Sequence, residues 1–308
     1  MKTEILQEIE TRKKIYKSSP VDMISAYNRE IETEKEYNGR QLLELLQNAD
    51  DEKSHEVQIE LNTVNKTLMI SNRGALCTPF SFDGIRSLMI SNLSSKTTKK
   101  FIGNKGLGFR SIINWSEKII IGSNGLNISF SRDIVGKVYD ELFDEEQHTQ
   151  IIEKRNLPKS VKPIPFLAIP RVEESQNDDW ITTITIQYKS TYEDDIKVQM
   201  DDIKPEILLF LHHIQNLKVI VDSEVQLNIE KESLLKQWKI YSKSALLPKE
   251  LWDKENEEEY YDLKIALQND LHNDIKDLFA FFPTKIEINF PYIVHGTFEL
   301  NSSCQPRC

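Results

Sequence analysis

One predicted helix near the amino terminus constrains this chain more than any other stretch. At 100° per residue, Glu44, Asn48 and Asp51 fall within about 60° of one another around a helix. The opposite side carries an apolar stripe of four residues, Leu42, Leu45, Leu46 and Ala49. Such a helix buries its apolar side and presents carboxylate and amide oxygens on the other. The pattern is typical of a binding site; the alternative is an ordinary amphipathic helix with a solvated polar face, and Asp50 is predicted to be only solvated.

A glycine-rich turn follows later, at residues 103–109, with the spacing G-x-x-G-x-G. Glycines at this spacing let the backbone approach a ligand closely and leave amides pointing outward, which suits an anion. The order differs from G-x-G-x-x-G and no clear strand precedes it, which disfavours a Rossmann dinucleotide site. Five cations lie within this region, Lys96, Lys99, Lys100, Lys105 and Arg110. They can neutralise a polyphosphate, or form a solvated basic loop.

A third polar element, Asn72-Arg73-Gly74, follows the apolar strand residues 68–70. An asparagine at a strand end can accept a hydrogen bond from an adenine amino group, and the alternative is a plain turn. Carboxylate, amide and glycine turn together indicate magnesium and a nucleotide. Cys77 is predicted to be an ordinary small apolar residue, and the adjacent His212 and His213 have no metal partner at useful spacing.

Composition excludes several classes of protein. With 39 basic and 49 acidic residues in 308, the net charge is −10, so nucleic acid and anionic membranes are not indicated as partners. Three cysteines are too few for a disulfide framework, which favours a reducing compartment. The first residues alternate charge with apolar side chains, unlike a secretory signal. The longest apolar run, Ile207–Leu211, is far shorter than the roughly twenty residues of a membrane span. We therefore expect a soluble, cytoplasmic protein.

The order of predicted elements favours an α+β sandwich. Helices are expected over residues 3–17, from 20 to about 37, and around Glu44, followed by a hairpin of 57–61 and 67–71. Residues 81–100 are expected to form a short helix and then a polar loop, and 109–116 a further helix. Further strands are expected at 118–121, 126–130, 181–188 and 217–221. Residues 140–180 carry four prolines and are predicted to run over the surface. A charged helix over about 251–278 should precede a hairpin of 286–290 and 292–300 that opens a second sheet, as if the chain were the front of a longer protein.

Taken in order, these pieces resemble the GHKL superfamily of gyrase, heat-shock-90 chaperones, histidine kinases and MutL. Residues 44–51 look like its N box, 70–74 like its first glycine box and 102–111 like its second. The sequences of the N box and the second glycine box are most similar to those of the sacsin-type, heat-shock-90-like branch. The resemblance covers residues 20–225. It implies a Bergerat-type two-layer sandwich, with a mixed, mostly antiparallel sheet and helices on one face. It divides the chain into an ATP-binding domain at 1–230 and a helical connector with an incomplete transducer-like domain at 231–308.

The resemblance also implies roles for individual residues. Glu44 is the general base, Asn48 carries Mg²⁺, and Asn72 holds adenine where the wider superfamily has Asp. Asn keeps an acceptor oxygen but loses the charge. The other implied ATP-binding residues come from the boxes, the lid and a later strand: Asp51, Gly74, Asn92, Lys96, Gly103, Lys105, Gly106, Leu107, Gly108, Phe109, Thr182 and Thr183. For the strand threonine, which reaches adenine through water, Thr182 and Thr183 are alternatives.

The implied activity is magnesium-dependent ATP binding with slow hydrolysis to ADP and phosphate. Nucleotide would act as a switch for a downstream domain or partner protein, with a homodimer formed through closure of the short lid at 92–103 and a chaperone-like or prokaryotic defence role. The alternative is an interaction module that binds nucleotide without hydrolysis. A histidine-kinase function is weaker, because no helix with a phospho-acceptor histidine precedes the N box. His295 is expected to be solvated on its hairpin, and Arg307 is given no sensing role.

Overall fold

Two β-sheets, with helices packed against the first, form the part of the chain described by this computed structural model. The described residues are 1–36, 39–90, 108–176, 179–248, 260–269 and 277–296. The fold is α+β, as the sequence predicts. Its helices are α1 (Lys2–Ser18), α2 (Pro20–Glu36), α3 (Gln41–Asp51), α4 (Phe82–Met89), α5 (Arg132–Leu142), α6 (Glu145–Arg155), α7 (Glu193–Asp201) and α8 (Lys231–Leu235). Short 3₁₀ helices span Gly108–Ile113, Ser190–Tyr192 and Pro205–Leu209.

The first sheet has eight strands in the order β5-β4-β3-β6-β2-β1-β7-β8. These are β1 (Glu56–Asn62), β2 (Thr67–Arg73), β3 (Ser116–Ser123), β4 (Leu126–Ser131), β5 (Arg171–Glu174), β6 (Thr182–Tyr188), β7 (Asn216–Val221) and β8 (Glu224–Glu230). All neighbours are antiparallel except β1 and β7, so the sheet is mixed and mostly antiparallel. The predicted hairpin of β1 and β2 is confirmed, as are the strands at 118–121, 126–130, 181–188 and 217–221.

Alternation along the central strands decides which side chains meet the helices. On β2 and β6 the buried positions pair across the ladder, Ile70 with Ile184 and Asn72 with Thr182. Successive side chains of a strand point to opposite faces, so these four share the covered face of the sheet. The predicted leucine stripe of α3 is confirmed: Leu42, Leu45, Leu46 and Ala49 are all buried.

Asp50 overturns the prediction of a solvated carboxylate, because its side chain is fully buried. Its carboxylate accepts hydrogen bonds from the backbone N–H groups of His212 (2.9 Å), His213 (2.7 Å) and Ile214 (2.9 Å). Buried backbone amides need partners, and those just before β7 find theirs on this side chain. The end of α3 is thereby fixed to the loop that leads into β7.

The sequence predicts that the proline-rich stretch at 140–180 runs over the surface, and this is wrong for three parts of it. Helix α6 buries Ile151 and Ile152, β5 is a strand of the first sheet, and residues 164–169 are buried. Ile164, Phe166 and Leu167 are at most 1% exposed. The buried carboxylate of Glu30, on α2, accepts the backbone N–H groups of Phe166 (2.6 Å) and Leu167 (3.3 Å) and lies 3.3 Å from the Arg132 guanidinium. Proline leaves this segment few backbone donors, and a distant side chain satisfies two of them.

The second sheet has five strands in the order β12-β11-β13-β10-β9, where β9 is Trp238–Leu246, β10 Tyr260–Gln268, β11 Asp277–Ala280, β12 Phe282–Glu287 and β13 Ile293–Gly296. The predicted helix over 251–278 is therefore wrong for residues 260–268, which pair along their whole length with β9. The expected hairpin of 286–290 and 292–300 is also wrong, because β11 lies between β12 and β13. The partner strand β9 was not recognised, and without it the charged β10 pattern favours a helix.

His295 is buried where the second sheet meets the first unit, so its predicted solvation is wrong. Its ring stacks on Phe210 at 4.7 Å between centroids and meets Phe281 edge-on at 4.8 Å. Among the described residues, neither ring nitrogen has a hydrogen-bond partner. The rings come from positions up to 85 residues apart along the printed sequence, beyond the reach of local pattern.

No helix among the described residues is both long and apolar enough to span a membrane.

Candidate functional site

A cavity of about 260 Å³ lies between helices α3 and α4 and the covered face of the first sheet. Its apolar wall includes Leu45, Ala49, Ile70, Pro79, Phe80, Leu88, Phe109 and Ile184. The polar residues that line it are Asn48, Glu52, Asn72, Thr78, Ser81, Ser87 and Thr182. Apolar walls with a few convergent polar groups are typical of small-molecule sites.

Two neighbouring strands bring Asn72 and Thr182 together. The two residues are direct partners in the β2–β6 ladder, and both are buried. Thr183, the alternative to Thr182, falls on the opposite face, where its hydroxyl lies 3.1 Å from that of Ser71. The alternation of the strand thus places Thr182 in the cavity and Thr183 outside it.

The Asn72 amide uses its nitrogen inside the protein. Nδ2 donates to Ser54 Oγ at 2.7 Å and to Cys77 Sγ at 3.2 Å. Burial raises the pKa of the Cys77 thiol, which therefore stays protonated and uncharged near neutral pH. With both N–H groups engaged, the oxygen Oδ1 is the atom of Asn72 that can accept a hydrogen bond from a ligand.

The Thr182 hydroxyl has its own proton committed as well. Ser123 Oγ donates to the carbonyl of Ile181 at 3.0 Å, and this uses its single hydrogen. The 3.0 Å contact between the Thr182 and Ser123 hydroxyls therefore has Thr182 as the donor. Ser123 also accepts the backbone N–H of Phe80 at 3.1 Å. What Thr182 offers to the cavity is an acceptor lone pair.

Two acceptors side by side in an apolar cavity fit a flat ring that carries an exocyclic amino group. Adenine has such a group at position 6 and guanine has one at position 2, whereas hypoxanthine has none. The two acceptors of Asn72 and Thr182 therefore fit the amino group of adenine and do not fit hypoxanthine.

Helix α3 presents Asn48 to the cavity one turn after Glu44. Glu44 and Asp51 are half-buried on the same side of the helix and do not line the cavity. The Asn48 amide oxygen is a hard ligand of the kind Mg²⁺ accepts, and Mg²⁺ commonly takes its other ligands from phosphates and water. Across the described residues, no three His, Cys, Asp or Glu side chains come together as a metal site. The donor set thus fits a magnesium ion bound largely through nucleotide phosphates.

The glycine boxes are only partly described. A Cβ on Gly74 would lie 2.7 Å from the backbone nitrogen of His55, so close packing of the backbone explains this glycine. Gly108 is the first residue of a 3₁₀ helix, and Phe109 next to it lines the cavity. Six predicted ligand residues lie outside the described residues: Asn92, Lys96, Gly103, Lys105, Gly106 and Leu107.

Arg110, one of the five cations near the glycine turn, is committed elsewhere. Its buried guanidinium Nη2 donates to the carbonyl of Leu88 at 2.7 Å, and to those of Ser87 and Ile90 at 3.3 and 3.2 Å. These carbonyls at the end of α4 have no partner within the helix. Arg110 therefore ties the end of α4 to the 3₁₀ helix at Gly108–Ile113, with its Nη2 committed to the wall of the cavity.

Sequence reasoning missed the residues that orient the polar groups. Ser54, Cys77 and Ser123 carry no motif, and Cys77 is more than the small apolar residue predicted, since its sulfur accepts from Asn72. The Ser81 hydroxyl, which accepts the N–H of Gly84 at 3.1 Å, begins α4. This helix confirms the short helix that the sequence predicts at the start of residues 81–100.

Fold and cavity together define an α+β domain with a ligand cavity between its helices and its sheet. No protein-family model matches the chain. Protein NO VEIN of Arabidopsis thaliana is 28% identical over 181 residues, which are 56% of this chain and 6% of that protein. The chain therefore corresponds to a small part of this relative.

Similar solved structures include two ATPase domains. The ATPase region of Saccharomyces cerevisiae topoisomerase II is 13% identical with a TM-score of 0.40, covering 78% of this chain and 59% of that one. The Aquifex aeolicus MutL ATPase domain, complexed with ADP, is 8% identical with a TM-score of 0.42, covering 85% and 91%. Both TM-scores lie below 0.5, and the proposal that follows depends on the residues of this chain.

Proposed function

We propose that this chain is a GHKL-type ATP-binding domain that binds ATP with Mg²⁺ and hydrolyses it slowly. The single observation that carries the proposal is the pair of acceptors on Asn72 and Thr182, in an apolar cavity that also receives Asn48 from α3. Adenine fits the pair, and the amide of Asn48 lies at the cavity wall where magnesium-bound phosphates would continue from the base. The similarity of residues 44–51 to an N box supports this role of Asn48.

The catalytic proposal assigns Glu44 as the general base. A base must reach the water that attacks the γ-phosphorus, and a carboxylate can take up that water's proton. Glu44 precedes Asn48 by one turn, about 6 Å along the helix. We propose that it lies beyond the part of the cavity that holds adenine, on the side of the phosphates. Magnesium, when bound, neutralises charge on the phosphates. Positioning and charge neutralisation supply most of the acceleration in phosphoryl transfer.

The switch proposal rests on the connection between the site helix and the second sheet. Asp50, two residues after Asn48, holds the 212–214 backbone, and the His212 ring packs edge-on against Phe281 at 5.4 Å. A shift of α3 on nucleotide binding would therefore act directly on the second sheet. On this basis we propose domains at 1–230 and 231–308, with the second passing the signal to a downstream domain, a partner protein or a second copy of the chain.

Finer assignments rest on the resemblance alone. These are the sacsin-type, heat-shock-90-like branch, a cytoplasmic location, and a chaperone-like or prokaryotic defence role.

A second candidate is a module that binds nucleotide without hydrolysing it. It is favoured by the position of Glu44, which does not line the cavity. The variant Glu44→Gln separates the two functions, with Glu32→Gln on an exposed part of α2 as the matched control. If the chain hydrolyses ATP with Glu44 as the base, Glu44→Gln should retain ATP affinity and lose phosphate release at steady state. Glu32→Gln should retain both. Phosphate release at the wild-type rate from Glu44→Gln would exclude Glu44 as the base.

A further inference from the structure

We propose that Ser54 and Cys77 fix the direction of the Asn72 amide and thereby select a 6-amino purine over a 6-oxo purine. The inference rests on the proposed nucleotide function and concerns the same cavity. It assigns two positioning residues that touch Asn72.

The need for such residues follows from asparagine itself. A carboxylate presents an oxygen whichever way it turns, whereas an amide presents an acceptor on one side and a donor on the other. An amide with its oxygen towards the cavity accepts from the amino group of adenine. An amide turned by 180° donates to the carbonyl of hypoxanthine or guanine. With Asn at position 72, selectivity depends on what holds the amide.

The holding groups are on the side of Asn72 away from the ligand. Ser54 is fully buried, and its backbone N–H donates to the carbonyl of Ala49 at 3.0 Å, at the end of α3. Cys77 is anchored by its N–H to the carbonyl of Gly74 at 3.1 Å. Both side chains therefore occupy fixed positions from which they accept the two N–H groups of the Asn72 amide.

The hydrogens of this cluster form one consistent set. Asn72 donates to both Ser54 Oγ and Cys77 Sγ, Ser54 and Cys77 are in contact at 3.4 Å, and Cys77 Sγ lies 3.9 Å from the carbonyl of Thr78. With the amide turned, Asn72 Oδ1 would face the Ser54 hydroxyl, which can donate to it, and the Cys77 thiol, which is only a weak donor. Turning the amide would therefore exchange one of its two contacts for a weaker one, and Cys77 is the contact that depends on the direction of the amide. The turned amide would also place an NH₂ group in the cavity opposite the amino group of adenine.

The test compares ATP with inosine triphosphate, which differs from it at position 6 of the base. Affinities are measured by calorimetry with magnesium for the wild type, Ser54→Ala, Cys77→Ala and Cys77→Ser. Ser71→Ala is the matched control, since its hydroxyl bonds to Thr183 on the opposite face. A second pair of variants, Asn72→Asp and Asn72→Asp with Ser54→Ala, removes the direction of the amide altogether. Thermal melting checks that each variant folds.

The wild type should prefer ATP by roughly tenfold to hundredfold, the size of one matched against one opposed hydrogen bond. Cys77→Ala should reduce this ratio to within about threefold, because it removes the acceptor that favours the observed direction, and Cys77→Ser should also reduce it, because a hydroxyl can donate to the turned amide. Ser54→Ala should reduce the ratio less, because the Ser54 hydroxyl can serve an amide in either direction. In the Asn72→Asp background, Ser54→Ala should leave the ratio unchanged, because both faces of a carboxylate are oxygens.

Two results would overturn the inference. One is an unchanged ratio in both Ser54→Ala and Cys77→Ala. The other is an equal change of the ratio from Ser54→Ala in the wild-type and Asn72→Asp backgrounds, which a general loosening of the cavity would produce. If the wild type binds neither nucleotide, the proposed function itself fails, which is a different outcome from ATP binding with unaltered selectivity. If Ser54→Ala does not fold, the two Cys77 variants decide.

Discussion

Replacing His295 with Phe should remove a pH dependence that the buried ring imposes on stability. Burial first, and then the charges of Lys264 and His212, lower the pKa of His295 to about 3, and Asp262 opposes the shift. The ordinary value of about 6.5 applies in the unfolded chain. Between these two values the unfolded chain binds a proton that the folded chain does not, so the free energy of unfolding decreases as the pH falls below about 6.5.

The size of the effect follows from the two pKa values. At pH 5 the unfolded state gains about 2 kcal/mol from protonating this one histidine, and the folded state gains almost nothing. Phe at position 295 keeps the ring between Phe210 and Phe281 and removes two buried nitrogens that have no partner in the part of the chain that the structure describes. The variant should therefore equal or exceed the wild type in stability at pH 8.

Urea unfolding at pH 8, 7, 6 and 5 measures the difference. From pH 8 to pH 5 the wild type should lose about 2 kcal/mol more than His295→Phe. His213→Gln is the control, because the His213 side chain is exposed and its contact with Asp50 is through the backbone. The reasoning would be refuted if the free energy of unfolding changed with pH in the same way, to within about 0.5 kcal/mol, for the wild type and His295→Phe. That result would mean that the ring is hydrated or paired in the folded protein.

Two further predictions concern α2 and α3. Glu30→Ala should lower the free energy of unfolding by about 3 kcal/mol in urea titrations, because it leaves two buried amides without an acceptor and Arg132 without a buried partner; a loss below about 0.5 kcal/mol, as expected for a surface residue, would contradict this. Asn48→Ala should weaken ATP binding more with magnesium than without it in calorimetry, since the amide oxygen is proposed as a metal ligand. Equal losses in both conditions would make Asn48 a structural residue of the helix.

The elements that sequence pattern predicted are those whose signal is local. The apolar stripe of α3 repeats within one helix, and the β1–β2 hairpin joins strands a few residues apart, so neighbouring residues suffice. The 3.6-residue period of α3 also places Asn48 on its polar side, and the two-residue period of β6 separates Thr182 from Thr183. What the pattern left open was which threonine faces the helices, because that depends on the partner strand.

The predictions that failed concern polar groups whose partners are distant along the chain. Asp50 looks solvated in sequence, and its burial is compensated by backbone amides 162 or more residues away. The buried 164–169 segment likewise depends on Glu30, whose carboxylate accepts an amide 136 residues away. His295 is enclosed by rings from two other segments. The strand β10 was taken for a helix because its pairing with β9 was not recognised. The direction of the Asn72 amide likewise depends on Ser54 and Cys77, which carry no motif.

The most direct test of the central claim is calorimetric titration of ATP, with magnesium, into the wild type, Thr182→Val and Thr183→Val. The two variants remove a hydroxyl from adjacent positions of one strand, facing the cavity in the first and the opposite face in the second. We predict saturable binding to the wild type, similar affinity for Thr183→Val, and affinity weaker by about fivefold for Thr182→Val, the effect of one lost hydrogen bond of about 1 kcal/mol. The absence of binding heat and of any thermal shift for the wild type at millimolar ATP would contradict the account.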